Sequence, residues 1–202
     1  MENSKLKVKD LVNIGVFVVI YFLILGISSM TFVFLGMTMV KSTLALLCFA
    51  LAPFVTGIIL GTPVILLMAK LQKPWGFFTF GILSPILLWL SGHNSFIPAI
   101  GGILLAAIAE FILYLGKYKS FKAMLIAYAC YNIWTMLPLA DILFVRAKRV
   151  KMIQKMGLAL VNNVFTTPNV LLILMFALVG GLLGALLGKK MLKKYFTKAG
   201  IL

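Results

Sequence analysis

The chain has 202 residues, of which 63% are hydrophobic and only 11% are charged. A soluble domain carries about 25% charged residues, so this composition excludes a water-soluble fold and predicts an integral membrane protein. The formal net charge of +15 would suit a nucleic-acid-binding protein. However, the lysines and arginines cluster at the ends of apolar runs, where they act as topology signals and meet anionic lipid headgroups. We therefore expect membrane lipid, and no nucleic acid, as a partner.

The apolar runs are continuous rather than alternating, which is typical of membrane helices and not of barrel strands. They predict an all-α bundle of six transmembrane helices in a single domain, at approximately residues 10–29, 43–70, 76–90, 96–116, 121–139 and 168–188. The first run is about twenty residues long, enough to cross a bilayer. Because no small-residue cleavage site follows it, we interpret it as a transmembrane helix and not as a signal peptide.

Residues 30–42 are ambiguous between a loop and an additional membrane segment, because they are apolar but contain Gly36 and Lys41. Six spans with cytoplasmic termini place thirteen Lys/Arg residues inside and six outside, whereas seven spans place eight inside and ten outside. The positive-inside rule therefore favours six spans with both termini cytoplasmic. A long amphipathic connector at 141–167 then lies outside, and its basic part at 146–155 departs from the rule locally.

Glu110 is the one acidic residue inside an apolar run that is long enough to cross a bilayer. Placing a carboxylate there costs roughly 2.5–3.5 kcal/mol on insertion scales, so we expect it to face protein or a water-filled cavity. Two interpretations remain open for Glu110: a structural group that holds two helices together, and a functional group.

Polar side chains of the fifth predicted helix suggest a ligand site. Tyr128, Asn132 and Thr135 lie at i, i+4 and i+7 on one face, and Trp134 lies on a second, aromatic face. Aromatic walls with a few convergent amides suit a small, flat, polar ligand. The alternative is that these are interfacial aromatics and interhelical hydrogen bonds. The other candidate substrate-binding residues are His93, Asn94, Asn162, Asn163 and Glu110.

The sixth predicted helix carries Gly180, Gly184 and Gly188 at strict four-residue spacing. Small residues at this spacing let two helix backbones approach closely in a membrane. The pattern predicts close helix packing without deciding between a helix of this chain and a partner protein.

Enzyme motifs are missing from the sequence: it has no phosphate-binding glycine loop, nucleophile elbow or HExxH motif. No Cys/His spacing is typical of a metal site, and we expect buried free thiols at Cys48 and Cys130. We therefore expect a protein that is not an enzyme and has no cofactor, and active transport would require a partner that hydrolyses ATP.

Several stretches resemble the substrate-binding S components of energy-coupling factor (ECF) transporters, in the MptD or Trep_Strep subgroup. They are KLKVKDLVNIG at 5–15, APFVTGIILGTPVILLMAKLQKPWG at 52–76, the pair GH at 92–93, IAEFILYLGKYKS at 108–120 and the ending LGKKMLKKYFTKAGIL. The resemblance covers almost the whole chain and depends on overall sequence texture, since none of these stretches is a catalytic signature.

This resemblance implies a subunit of a bacterial plasma-membrane importer that captures a vitamin-like micronutrient outside the cell. It would deliver the ligand inward together with a membrane coupling subunit and two ATPases. In such proteins the ligand lies among helices 4–6 and the loops after helices 1 and 3, which here contain Tyr128, Asn132, Thr135, His93, Asn94, Asn162 and Asn163. Glu110 falls in the inner half of the fourth predicted helix, where helix packing or reorientation is the expected role. Helix 1 commonly docks the coupling subunit through two alanines four residues apart, whereas this chain has Gly15 and Val19. The alternative function is a stand-alone proton-coupled permease that uses Glu110 as its proton carrier.

Overall fold

The computed structural model describes residues 5–92 and 96–196, and every regular element in these two ranges is a helix. The α-helices are α1 (Val8–Thr38), α2 (Ser42–Leu71), α3 (Gly76–Leu90), α4 (Phe96–Leu115), α5 (Phe121–Asn132), α6 (Leu137–Phe144), α7 (Arg146–Met156), α8 (Leu158–Val164) and α9 (Thr167–Met191). A 3-10 turn, Ile133–Met136, joins α5 to α6, and a π-helical turn, Leu192–Phe196, follows α9.

Five helical stretches of the described chain are long and apolar enough to cross a membrane: Val8–Thr38, Ser42–Leu71, Phe96–Leu115, Phe121–Phe144 and Thr167–Lys194. The third predicted span corresponds to α3, which is apolar but has only 15 residues. A helix of that length rises about 22 Å, which is less than the roughly 30 Å of a bilayer core. The all-helical membrane architecture is confirmed, with five helices of full span length and one shorter apolar helix.

The first helix is much longer than its predicted range of 10–29, because α1 continues without a break to Thr38. Residues 30–38 contain no proline, and Gly36 is accommodated because it packs against the ring of Phe49 on α2. The ambiguous stretch 30–42 is therefore the last part of α1 followed by a connection of three residues, 39–41.

The fifth span changes from α-helix to 3-10 helix at Ile133–Met136, just before Pro138 in the first turn of α6. Proline has no N–H to donate to the carbonyl four residues earlier, so a tighter 3-10 turn is a physically reasonable solution there. The span then continues to Phe144, beyond the predicted limit of 139. The amphipathic connector that follows folds as two short helices, α7 and α8, separated at Gly157, whose φ is +84°.

The helices alternate in direction, so the bundle has two distinct ends. We call the end where α1 begins and α9 finishes the terminal end, and the end that carries α7 and α8 the connector end. A salt bridge of 2.6 Å between Asp10 of α1 and Lys73, in the α2–α3 turn, lies at the terminal end. Asp10 also accepts a hydrogen bond from the N–H of Lys7, which caps the start of α1.

Helix α2 runs through the centre of the bundle and packs between α1 and α9. Buried aromatic side chains from α1, α3 and the fifth span form a second part of the core. Within it, Tyr21 meets Phe80 edge to face with ring centroids 5.3 Å apart, and Tyr131 meets Phe77 in the same way at 5.2 Å. These contacts fix the fifth span against α1 and α3, and they support one side of the candidate site.

Candidate functional site: a cleft at the connector end

A cleft of about 830 Å³ lies towards the connector end, between α1, the end of α3, the 3-10 turn, α6 and α7. Its walls are mainly apolar. They include Phe22, Met30 and Val33 of α1, Trp134, Leu139 of α6 and Met152 of α7. Small-molecule sites are typically clefts of about 300–1,000 Å³ with apolar walls and a few polar groups. The size and lining of this cleft therefore suit one vitamin-sized ligand.

Trp134, in the 3-10 turn, forms part of the cleft wall, and contacts with Tyr21 fix the orientation of its ring. Its indole N–H donates a hydrogen bond of 2.8 Å to the hydroxyl oxygen of Tyr21, and the two rings stack with centroids 6.3 Å apart. Only 1% of Trp134 is exposed. The indole is therefore a fixed and almost fully covered part of the wall, and more exposed lining side chains such as Met30 and Phe34 provide the apolar surface.

Hydroxyl groups link α1 and α2 at the cleft wall. Thr56 Oγ1 lies 2.9 Å from Ser28 Oγ and 3.0 Å from Ser29 Oγ, and Ser29 itself lines the cleft. Thr135, also in the lining, donates its hydroxyl to the carbonyl of Asn132 at 2.7 Å. The apolar walls therefore carry two hydroxyl groups, Ser29 and Thr135, that already have partners within the protein.

Three lysines of α7, Lys148, Lys151 and Lys155, line the cleft. Their spacing of three and four residues puts them on one face of the helix. Lys148 forms a salt bridge of 2.7 Å with Asp141 of α6, whose side chain is fully buried. This ion pair joins the start of α7 to the fifth span and holds the lysine-bearing face beside the cleft.

Two of the predicted site residues of the fifth span face away from the cleft. Tyr128 donates its hydroxyl to the carbonyl of Gly57 at 2.6 Å. Asn132 donates its side-chain amide to the carbonyls of Pro53 at 3.2 Å and Ala177 at 2.7 Å. Both residues are fully buried between α2 and α9. The structure thus separates Tyr128 and Asn132, which join helices, from Trp134 and Thr135, which line the cleft.

Glu110 lies at the terminal end, far along the bundle from the cleft, and is 7% exposed. Its carboxylate accepts hydrogen bonds from the backbone N–H groups of Trp75 at 2.6 Å and Phe78 at 2.9 Å. These are unpaired donors at the start of α3, where a negative charge is also favoured by the helix dipole. Glu110 therefore caps α3 from the neighbouring helix α4.

The hydroxyl of Tyr118, in the turn after α4, donates a third hydrogen bond to Glu110 at 2.9 Å. Burial and the adjacent carboxylate raise the pKa of Tyr118 above its ordinary value. The phenol therefore stays protonated, and remains a donor to Glu110, throughout the physiological pH range.

The remaining candidate residues lie outside the cleft lining or outside the described part of the chain. Asn162 of α8 is exposed and accepts a hydrogen bond of 2.9 Å from Arg149 of α7. The backbone carbonyl of Asn163 accepts one from the side chain of Asn169, also at 2.9 Å. His93 and Asn94 fall between the two described ranges. The two asparagines of α8 thus stabilise the connector and do not reach the cleft.

The glycines of α9 face α2 of the same chain. A Cβ at Gly180 or Gly184 would collide with backbone atoms of Phe54 or Gly57, and one at Gly188 would lie 2.9 Å from the carbonyl oxygen of Gly61. The glycine spacing in the sequence does not decide which helix packs against α9, and the structure shows that it is α2 of the same chain. Gly15, by contrast, has open space around the position of a Cβ, and it lies on an exposed face of α1.

Several cleft residues were not among the candidates: Ser29 and the apolar residues of α1, and the three lysines of α7. The lysine spacing is visible in the sequence, as is the departure of the basic connector from the positive-inside rule. Neither signal places α7 beside α1, because that contact joins segments more than a hundred residues apart and depends on the packing of the whole bundle.

Comparison of the chain with curated proteins and with solved structures finds no match. Residues 8–198 match the family model described as "Hypothetical bacterial integral membrane protein (Trep_Strep)". This match extends over all the helices that form the cleft and is consistent with the several apolar helices of the fold. The chain therefore belongs to the Trep_Strep family of bacterial integral membrane proteins.

Proposed function

We propose that this protein is the substrate-binding subunit of an ECF-type importer and that it captures a vitamin-sized molecule in the cleft at the connector end. The observation that carries the proposal is the cleft itself: about 830 Å³, mainly apolar, with a fixed indole and a small number of polar groups. Clefts of this size with mainly apolar walls and a few polar groups are typical of small-molecule sites.

The proposed orientation places the connector end outside the bacterial plasma membrane. Most lysines lie at the terminal end, near the start of α1, in the two turns that follow α2 and α4, and at the end of α9. Because basic residues favour the cytoplasmic side, the terminal end would be inside and the cleft would open towards the outer half of the membrane. That is the location a capture site for an external nutrient requires.

The partners in this proposal are a membrane coupling subunit and two ATPases, since the sequence carries no ATP-binding motif of its own. The support for them is the resemblance of the chain to ECF S components. The exposed face of α1 around Gly15 and Val19 offers a place for the coupling subunit to pack, because it is apolar and open to another helix. Lipid would cover the same face when no partner is bound.

The hydrogen bonds of Glu110 bear on the alternative of a proton-coupled permease. A proton carrier must gain and lose its proton during transport, whereas this carboxylate has three donors directed at it. Protonation would remove an acceptor from the capped end of α3. This arrangement favours a structural role for Glu110, and we do not assign it a role in substrate binding or proton transfer.

The first test is purification of the tagged protein from its native membrane in mild detergent, followed by mass spectrometry of retained proteins and small molecules. We expect two ATPases and one membrane coupling subunit to be recovered. Recovery of the protein alone, after chemical cross-linking in intact membranes as well as without it, would contradict the ECF assignment.

The second test addresses the cleft directly with Gly26→Trp. Gly26 lines the cleft and has no atom near the position of a Cβ, so the indole would fill the space without displacing the backbone. Leu23→Trp is the matched control, because Leu23 lies on the same helix, is 59% exposed and is not part of the cleft lining. A small molecule retained by the wild type and the control, but absent from Gly26→Trp, would support capture in the cleft. Identical small-molecule contents in all three would contradict it.

A further inference from the structure

The lysines of α7 give the cleft a charge preference that its size does not reveal. We infer that the cleft selects an amphipathic anion, with an apolar body between α1 and the fifth span and an anionic group at Lys151 and Lys155. This inference rests on the proposed function and specifies its substrate class. The anionic group could belong to a soluble metabolite or to a lipid headgroup, and the chemistry of recognition is the same in both cases.

The two lysines differ from the other cations of α7 in how their charge is balanced. Lys148 is paired with the buried carboxylate of Asp141, and Arg149 donates to Asn162 of α8. Within the described ranges, no carboxylate forms a salt bridge with Lys151 or Lys155. The side of the cleft formed by α7 therefore carries uncompensated positive charge.

Lys151 and Lys155 lie four residues apart on one face of a short helix, and two like charges in this arrangement destabilise the helix. An anionic group bound between the two ammonium groups would relieve this repulsion. A charge-assisted hydrogen bond from each lysine is stronger than one between neutral groups. The same two ammonium groups would repel a cationic ligand, so the charge of α7 favours anionic ligands over cationic ones.

The other walls of the cleft determine the rest of the ligand. The lining side chains of α1 and α6 are apolar apart from Ser29, and the hydroxyl groups of the lining already have partners in the protein. A strongly polar molecule would lose hydrogen bonds with water against such walls without replacing them. The ligand that satisfies both surfaces has an aromatic or aliphatic body and one acidic end.

The test compares two probes that differ mainly in charge, 2-naphthoate and 2-naphthamide, binding to the protein in phosphatidylcholine nanodiscs. Empty nanodiscs correct for partition into lipid. We expect the anion to bind about tenfold more tightly than the amide, the ratio that one net charge-assisted hydrogen bond provides. Lys151→Gln/Lys155→Gln should abolish this difference without lowering the melting temperature, since it removes the repulsion between the two lysines. Lys119→Gln/Lys122→Gln, which removes two exposed lysines at the terminal end, should preserve it.

Each result bears on the inference. Equal binding of the two probes to the wild type would overturn the charge preference and leave the cleft, and the proposed function, in place. A preference that survives in Lys151→Gln/Lys155→Gln would overturn the assignment to these lysines. Binding of neither probe above the empty-nanodisc level would contradict both the inference and the proposed use of the cleft.

Native mass spectrometry with added phosphatidylglycerol distinguishes the two sources of the anion. A lipid adduct that is displaced by 2-naphthoate and weakened in Lys151→Gln/Lys155→Gln would identify a lipid headgroup as the anion. Binding of 2-naphthoate without such an adduct would identify a soluble anion. Either result supports an amphipathic anion, provided that the charge preference described above is observed.

Discussion

At the scale of single residues, Glu110 illustrates how a buried charge in a membrane helix becomes structural. The sequence indicates that its carboxylate faces protein, because exposure to lipid would be costly. The structure identifies the partners as two backbone N–H groups at the start of α3 and the hydroxyl of Tyr118. A carboxylate suits this position because it accepts hydrogen bonds without donating any.

Glu110→Gln should therefore lower the stability of the protein. The glutamine side chain keeps one acceptor oxygen but turns an N–H₂ group towards an N–H donor, so we expect a loss of about 1–3 kcal/mol. Thermal unfolding in detergent, followed by the loss of helical circular dichroism, measures it. Asp10→Asn is the comparison, because Asp10 also accepts one backbone N–H but at an exposed helix start, and its pair with Lys73 is worth only about 0–1 kcal/mol, so we expect a smaller loss. Equal melting temperatures for the two variants would contradict the capping role of Glu110.

Tyr118→Phe tests the third hydrogen bond of the same carboxylate. Removing the hydroxyl should cost about 1 kcal/mol, less than the change at Glu110, because only one donor is lost. The raised pKa of Tyr118 keeps the phenol protonated, and a bond of this kind is lost only as the pH rises through that raised value. The difference in melting temperature between Tyr118→Phe and the wild type should therefore be the same in mildly acidic and mildly basic buffer. A difference that disappears in mildly basic buffer would contradict this assignment.

At the scale of elements, the central contact is the crossing of α2 and α9, where glycines on both helices bring the backbones together. A Cβ at Gly184 would collide with the carbonyl group of Gly57, and one at Gly181 would lie 2.8 Å from the Cα of Ala129 on α5. Without a hydrophobic driving force between helices in lipid, such close packing is a main source of association. The hydrogen bonds of Asn132 and Tyr128 to carbonyls of α2 and α9 lie beside the same crossing.

Gly184→Ala should separate α2 from α9, since the obstacle is rigid backbone and not a movable side chain. We expect destabilisation of about 1–3 kcal/mol, the usual cost of overpacking a close contact. Gly15→Ala is the control, because Gly15 has no atom near the position of a Cβ. Alanine also has the higher helix propensity, so the control should be neutral or slightly more stable. A Gly184→Ala protein as stable as the control would show that the crossing tolerates a wider spacing.

At the scale of the whole molecule, the helices divide the positive charge unequally between the two ends of the bundle. The terminal end carries most of the lysines, and the connector end carries α7 with its own basic residues. The positive-inside rule compares the basic residues at the two ends and predicts that the terminal end is cytoplasmic. The basic residues of α7 are then a local exception, for which binding of an anion at the cleft provides a reason.

This orientation can be measured with a membrane-impermeant thiol reagent on intact cells. In a background of Cys48→Ala and Cys130→Ala, Gln154→Cys on α7 should be labelled without lysis, and Lys119→Cys in the turn after α4 only after lysis. Both positions are exposed, so accessibility to the reagent depends on the side of the membrane. The reverse pattern would place the cleft in the cytoplasm and would contradict uptake of an external nutrient.

The sequence by itself determined the class of protein, because an apolar composition of this extent leaves no alternative to a membrane, and a transmembrane helix needs only local apolar length. It also determined the close packing of α9, since glycines four residues apart must lie on one face. Only the tertiary structure decided that α2 is the partner of α9 and that α1 extends to Thr38. It also decided that Tyr128 and Asn132 join helices while Trp134 and Thr135 line the cleft. The physical reason is that the spacing along one helix shows which residues share a face, whereas the neighbour of that face depends on all the other helices.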